Sequence, residues 1–264
     1  MGSEPPSGPA EAAPSLTRHA LIPLSLLVCF VLVYQVRVAP WWVAVVGVPA
    51  VLLYLAAPRI GRISLSRFDR DAVQLLAGGR REGLRGRYAR ALGMRLFAPP
   101  ALVAERRGLV AAQTGEPGRA RAAYRAALDA YPEGRAPLGV RLGLAHASFA
   151  LGDDEAAIRG YREVLRSSGS YPRVARNLAH ALARRGEDLK EAERLAERAL
   201  EEASEPSDEL LLVRALVHAA RGQRGPARKI LARTEGVRGP AVERLREEVE
   251  TALEDVEGLN RPSA

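Results

Sequence analysis

The stretch Ala101–Pro132, ALVAERRGLVAAQTGEPGRARAAYRAALDAYP, decides the fold. It reads as two runs of helical apolar periodicity with Gly115 between them. Gly115 suits a tight turn, where a positive φ costs glycine least, and Pro132 closes the unit. The same arrangement recurs along the chain. Glycines stand between paired helical runs at Gly79, Gly115, Gly152, Gly186 and Gly222, in steps of 36, 37, 34 and 36 residues. A period of about 34 residues built from two short helices marks an array of helical hairpins.

Other positions fall into register with the glycines. Five residues on stand Leu84, Ala120, Ala157, Ala192 (one residue late) and Ala227. Nine residues on stand Tyr88, Tyr124, Tyr161, Ala196 (late again) and Leu231. Twelve on come Ala91, Ala127, Val164, Ala199 and Thr234, followed by Leu92, Leu128, Leu165, Leu200 and Glu235. Positions three and four apart share a helix face. Small residues there let two helices approach closely, and the tyrosine fills the gap to the next hairpin.

On these residues the chain resembles the tetratricopeptide repeat (TPR) family. Gly108, Gly115, Ala120, Tyr124, Ala127 and Pro132 match the family's pattern of small residues, turn glycine, aromatic and closing proline. A second unit carries Leu144, Ala145, Gly152-Asp153-Asp154-Glu155, Ala157 and Tyr161. A third carries Asn177-Leu178-Ala179 and Asp188–Glu193, with one residue added at the turn. The resemblance implies an all-α, TPR-like α-solenoid of about five hairpins, near 65–98, 101–132, 138–171, 172–206 and 208–235. A capping helix at 240–256, with Val242, Leu245, Val249, Leu253 and Val256 on one face, and a tail at 258–264 would complete it. The chain departs from the family in lacking its early Trp and in placing Ala196 and Leu231 where a tyrosine stands elsewhere. An unrelated α-solenoid or a helical bundle stays open at this point.

Charge and composition narrow the setting. The net charge of +8 is concentrated in residues 58–107, where twelve arginines face only Asp69, Asp71, Glu82 and Glu105. No nucleic-acid motif or aromatic interleaving accompanies that patch, so nucleic acid is not expected as a partner. The cations are almost all Arg, with Lys190 and Lys229 the exceptions, and Ala, Gly and Pro are abundant, as in proteins of GC-rich bacteria. The lone cysteine, Cys29, excludes an intrachain disulfide framework or a CxxC metal knuckle.

Residues 1–18 read as a disordered tail. Between Arg18 and Arg37, and again between Arg37 and Arg59, lie 18 and 21 residues without a formal charge. Each approaches the roughly 20 residues needed to cross a bilayer as a helix. We therefore expect a two-helix transmembrane hairpin within 19–58, spans at about 20–36 and 41–57, and a basic juxtamembrane linker at 59–64. A cleaved signal peptide fits poorly, since no basic cluster precedes the first block and a second follows at once. Arg59, Arg62, Arg67 and Arg70 outnumber the single Arg37 of the turn. The positive-inside bias then puts both termini and the repeats in the cytoplasm, as a multi-pass protein of the bacterial inner membrane. These four arginines set topology and can lie on anionic lipid headgroups.

The family's binding groove is lined by the first helix of each hairpin. Carried over by repeat position, the resemblance implies Arg106, His146, Arg173, Arg176, Asn177, His180 and His218 as groove residues. Arg176-Asn177 resembles the basic-plus-Asn pairing with which some family members hold a terminal carboxylate, a task suited to a fork-shaped guanidinium. His146 and His180 share one repeat position but have no third ligand in view, so no metal site is expected. Glu191, Glu193, Glu197, Glu201 and Glu202 interleave with Lys190, Arg194 and Arg198 as a solvated helix face. HExxH, GxSxG and Walker-type sequences are absent. The expectation is a non-enzymatic, membrane-tethered scaffold without a cofactor or small-molecule substrate. It would bind membrane lipids and an unidentified protein segment. A structural subunit of a bacterial envelope-assembly or transport complex is the other reading, with cytoplasmic and periplasmic repeats both open.

Overall fold

The structure is a computed structural model and describes residues 41–132, 134–168 and 171–259, with Leu27 and Val31 ahead of them. The expected first span, the tail at 1–18 and residues 260–264 lie outside the described residues. Among the described residues the regular structure is helical. The helices are α1 (Trp41–Ala77), α2 (Gly83–Arg90), α3 (Leu92–Phe97), α4 (Pro100–Gln113), α5 (Pro117–Ala130) and α6 (Leu138–Ala150). They continue as α7 (Asp154–Ser168), α8 (Pro172–Arg185), α9 (Leu189–Glu201), α10 (Asp208–Ala220), α11 (Arg224–Arg233) and α12 (Pro240–Leu259). Five hairpins follow: α1 with α2 and α3, then α4/α5, α6/α7, α8/α9 and α10/α11. Two compact units divide the chain, the first ending at Gly143 and the second starting at Leu144.

The period glycines make one recurring device. Gly79, Gly115, Gly152, Gly186 and Gly222 all adopt a positive φ, between 67° and 77°. At each, the glycine N–H donates three residues back and the next N–H five residues back. Gly115 donates to Ala112 at 3.4 Å and Glu116 to Ala111 at 2.9 Å, and Gly186 to Ala183 and Glu187 to Leu182 at 3.1 Å each. This is the Schellman closure of a helix C-terminus, which satisfies carbonyls the helix would leave unpaired. A Cβ on Gly152 would meet nothing within 4 Å. Gly152→Ala therefore carries only the backbone cost of a left-handed residue. It is expected to lower stability by about 1 kcal/mol, read as a shifted urea midpoint with unchanged slope.

The residue added in the fourth hairpin has a precise location. Asp188, with φ 44°, is the one non-glycine at positive φ among the described residues. With Gly186 it brackets Glu187 in left-handed backbone and absorbs the extra residue. Aspartate tolerates that region better than most side chains, and the Asp188 carboxylate accepts from Arg162 at 2.6 Å.

Burial follows the register. The position five (or six) after each glycine is fully buried in all five hairpins: Leu84, Ala120, Ala157, Ala192 and Ala227. The position twelve (or thirteen) after it is buried in each as well, at Ala91, Ala127, Val164, Ala199 and Thr234. In the first unit the Tyr124 ring sits between two helix glycines. A Cβ on Gly108 of α4 would come within 2.9 Å of it, and one on Gly143 of α6 within 2.4 Å. In the second unit Tyr161 of α7 is fully enclosed, with the His146 and Phe149 rings at 5.5 and 6.3 Å.

The first hairpin departs from expectation in two ways. Its second helix breaks at Ala91 (φ −79°, ψ 52°), so that α2 and α3 replace a single helix. The expected linker at 59–64 is not a linker, because α1 runs through it unbroken from Trp41 to Ala77, with Pro49 and Pro58 inside. Residues 59–64 pack on the rest of the hairpin instead. Gly61 lets α1 press on the end of α3, where a Cβ would lie 2.6 Å from the Phe97 carbonyl oxygen. The Ser64 hydroxyl accepts from the Met94 N–H at 2.9 Å. Beyond them Phe68, Ala72, Leu84, Met94 and Val110 form a core, and Phe68 meets Tyr88 edge-on at 6.0 Å.

The N-terminal half of α1 is different. Val45, Val48, Val51, Leu52, Leu53 and Leu55 are exposed, Leu55 by 65%. Among the described residues one helix is long and apolar enough to cross a membrane, the Gly47–Ala77 portion of α1. Arg59, Arg62, Arg67 and Arg70 all lie on α1 and are exposed.

Candidate binding surface

Helices α8 and α10, the first helices of the last two hairpins, carry most of the residues singled out by repeat position. Both are buried nearly all round. In α8, Val174, Ala175, Leu178, Ala179, Ala181, Leu182 and Ala183 are buried; in α10, Leu210, Leu212, Val213, Ala215, Leu216, Val217 and Ala219. That burial leaves few polar positions, and most of those are already engaged.

Arg176 and Asn177 of α8 sit in a directional chain. The Arg176 guanidinium donates to Glu209 of α10 at 2.6 Å and to the Asn177 carbonyl oxygen at 3.3 Å. The Asn177 amide nitrogen lies 3.2 Å from Nε2 of His146 on α6. An amide nitrogen only donates, so His146 accepts there and carries its proton on Nδ1. Desolvation against Tyr161 and then the Arg176 charge lower the His146 pKa, although part of the ring stays open to solvent. The arginine expected to hold a foreign carboxylate thus holds the chain's own Glu209.

One turn on, His180 is buried and lies 2.5 Å from a carboxylate oxygen of Glu248 on α12. Carboxylates only accept, so the ring Nε2–H donates. Burial pushes the Glu248 pKa up, but the His180 hydrogen bond and the Arg184 and Arg244 charges outweigh it, and the net shift is downward. The His180 ring also meets Phe149 edge-on at 4.9 Å. Arg184 covers Phe149 at 4.8 Å and grips Asp154 with two nitrogens. Both histidines therefore have partners other than a metal, and among the described residues no group of three His, Cys, Asp or Glu could hold one.

The remaining candidates divide. His218 is buried, and its Nδ1 is 2.6 Å from the Gln223 side-chain oxygen, which ties the end of α10 to the next turn. Arg106, in the first unit, makes a two-pronged bond to Asp69 at 2.8 and 3.0 Å and meets Glu105 at 2.8 Å. It joins α4 to α1. Arg173, like His146, is exposed. It lines an open cavity of about 780 Å³ with Arg176, Glu209, Ser207 and Val242, at the start of α8 and beside α12.

Sequence reasoning missed Glu209, Asp154 and Glu248, the acids that engage Arg176, Arg184 and His180. Their signal was weak: Glu248 is one of several glutamates on an amphipathic helix, 68 residues from His180.

Repeated two-helix hairpins, each closed by a left-handed glycine and packed through small residues at fixed positions, define the TPR-like α-solenoid fold. Solved structures agree. PilW, a widely conserved type IV pilus biogenesis factor, superposes with a TM-score of 0.52 at 14% identity, over 88% of this chain and 99% of that one. PilF of Pseudomonas aeruginosa gives 0.52 at 17%, over 88% and 97%. A tetratricopeptide repeat protein from Parabacteroides merdae gives 0.52 at 15%, over 94% and 95%. No family model and no curated protein matches the sequence. The chain has the TPR-like α-solenoid fold.

Proposed function

We propose that the protein is a non-enzymatic TPR scaffold, tethered to a bacterial inner membrane, that captures a protein segment on the first-helix face of its repeats. The carrying observation is α1, which exposes Val45, Val48, Val51, Leu52, Leu53 and Leu55 and is built into the first hairpin by Gly61, Ser64 and Phe68. Exposed apolar side chains on successive turns suit lipid rather than water. Arg59, Arg62, Arg67 and Arg70 follow where headgroups would lie. Together with the first apolar block this gives a multi-pass anchor with both termini and the repeats in the cytoplasm.

Two measurements test the reading. Reporters fused after Ala264 should be active in the cytoplasmic form and silent in the periplasmic form; the reverse result would place the repeats in the periplasm. A photo-crosslinking residue at Arg173, beside the open cavity, should trap a discrete protein in native membranes, whereas one at Lys229 on α11 should not. Equal trapping at both positions, or none at either, would remove the groove assignment.

A further inference from the structure

The last helix does not continue the array as its predecessors do. Helix α10 rests on both helices of the hairpin before it, α8 and α9. Helix α12 packs mainly along α10 and barely meets α11. Displaced to the first-helix side, it reaches back to α8, where Glu248 takes the Nε2–H of His180. Its buried row is Val242, Leu245, Val249 and Leu253, a 3-4-4 spacing along one face. The segment before it, residues 234–239, holds Gly236 and Gly239 at positive φ. Neither glycine has any neighbour within 4 Å of a Cβ position. Arg246 bonds back to the Thr234 carbonyl at 2.8 Å.

One polar contact joins α12 to α8 as well: Glu248 lies beside His180 and 4.0 Å from Arg184, while Arg176 and Arg184 also hold Glu209 and Asp154. On α8, Arg173, Arg176, His180 and Arg184 follow one another at the same 3-4-4 spacing, a basic row. Between Pro240 and Asp255, α12 carries six acids against Arg244 and Arg246. An acidic amphipathic helix thus lies on a face with a basic edge, the arrangement by which helical ligands seat in grooves. Among the described residues α12 buries four apolar side chains, while α8 and α10 bury seven each. Such an element opens at lower free energy than the helices beneath it.

We propose that α12 is the resident occupant of a helix-binding face formed by α8 and α10, and that this protein's partner is an acidic amphipathic helix that takes its seat. The partner repeats the apolar 3-4-4 row of α12 and places a carboxylate opposite His180. This rests on the reading of the first-helix face as the binding surface.

The test uses the full chain in detergent and a fluorescent peptide of residues 239–257 as probe. Val249→Asp, which unseats α12, is expected to tighten peptide binding at least tenfold over wild type. Adding His180→Glu should reverse that gain at least tenfold. An unchanged affinity in Val249→Asp, or an indifferent His180→Glu, overturns the proposal. If Val249→Asp fails to fold, hydrogen exchange on the wild type decides instead. Amides of 240–253 should exchange at least tenfold faster than those of 210–219, and equal protection overturns the proposal. A wild-type dimer that the peptide splits would assign the seat to a second copy's α12 and overturn a foreign partner. Failure here is separable from failure of the scaffold reading. Peptide exchange without trapping at position 173 leaves the seat without the function; trapping with an inert Val249→Asp leaves the function without the seat.

Discussion

Gly143→Ala is expected to destabilise the first unit by about 2 kcal/mol, although alanine is the better helix former. Helix propensity alone favours the change by about 1 kcal/mol. The new Cβ, however, would stand 2.4 Å from the Tyr124 ring. The ring has little room to shift, because it also lies close to Gly108 of α4, where a Cβ would come within 2.9 Å of it. Overpacking a filled core costs on the order of 1–3 kcal/mol, and a ring already close to two helix backbones belongs at the upper end. The sign gives the decisive measurement. In a Tyr124→Ala background the clash is gone, so Gly143→Ala should become stabilising by about 1 kcal/mol in urea melts. Failure of the sign to reverse would show that Tyr124 does not set the approach of α6.

Tyr161→Ala is expected to cost about 3–5 kcal/mol, the range for truncating a large buried aromatic. Tyr161 is among the largest fully enclosed side chains of the chain and fills the space between the His146 and Phe149 rings. Its hydroxyl makes no hydrogen bond of good geometry. Burial accordingly raises its pKa, against the pull of Asn177 and Arg176. Tyr161→Phe should therefore be close to neutral, since it removes a group that is buried without return. A large loss in Tyr161→Phe would mean that the hydroxyl, and not the ring, holds this part of the second unit.

These two tyrosines also show what was legible. They stand nine residues after a turn glycine, so local spacing was enough to find them, as it was for the buried alanines five and twelve residues on. A helix reports its turn and its faces within a few residues of sequence. The break at Ala91 left no clear trace, because no proline stands there and Gly93, two residues on, lies inside α3 rather than in a turn. The supposed linker at 59–64 was misread from its arginines, which are good helix formers and end nothing. The candidate site was the least legible part. Arg106, Arg176 and His180 were found as polar residues on the right helices, yet the acids that hold them are 33 to 68 residues away for Arg176 and His180, and 37 for Arg106. Periodicity carries no information about such pairs; only the superposition of hairpins does.

The absence of a joint in α1 has a mechanical consequence. An α-helix turns by about 100° and advances about 1.5 Å per residue. On the membrane reading, the heading of the first hairpin about the bilayer normal is set by helical phase, as a propeller's is by its shaft. A single residue gained or lost near Ala57 would swing that hairpin through more than a quarter-circle while barely changing its height. Seven residues, close to two full turns, would lift it by about 10 Å and return it nearly to its first bearing. On that reading, a change in the length of α1 alters the angle of the first hairpin far more than its height.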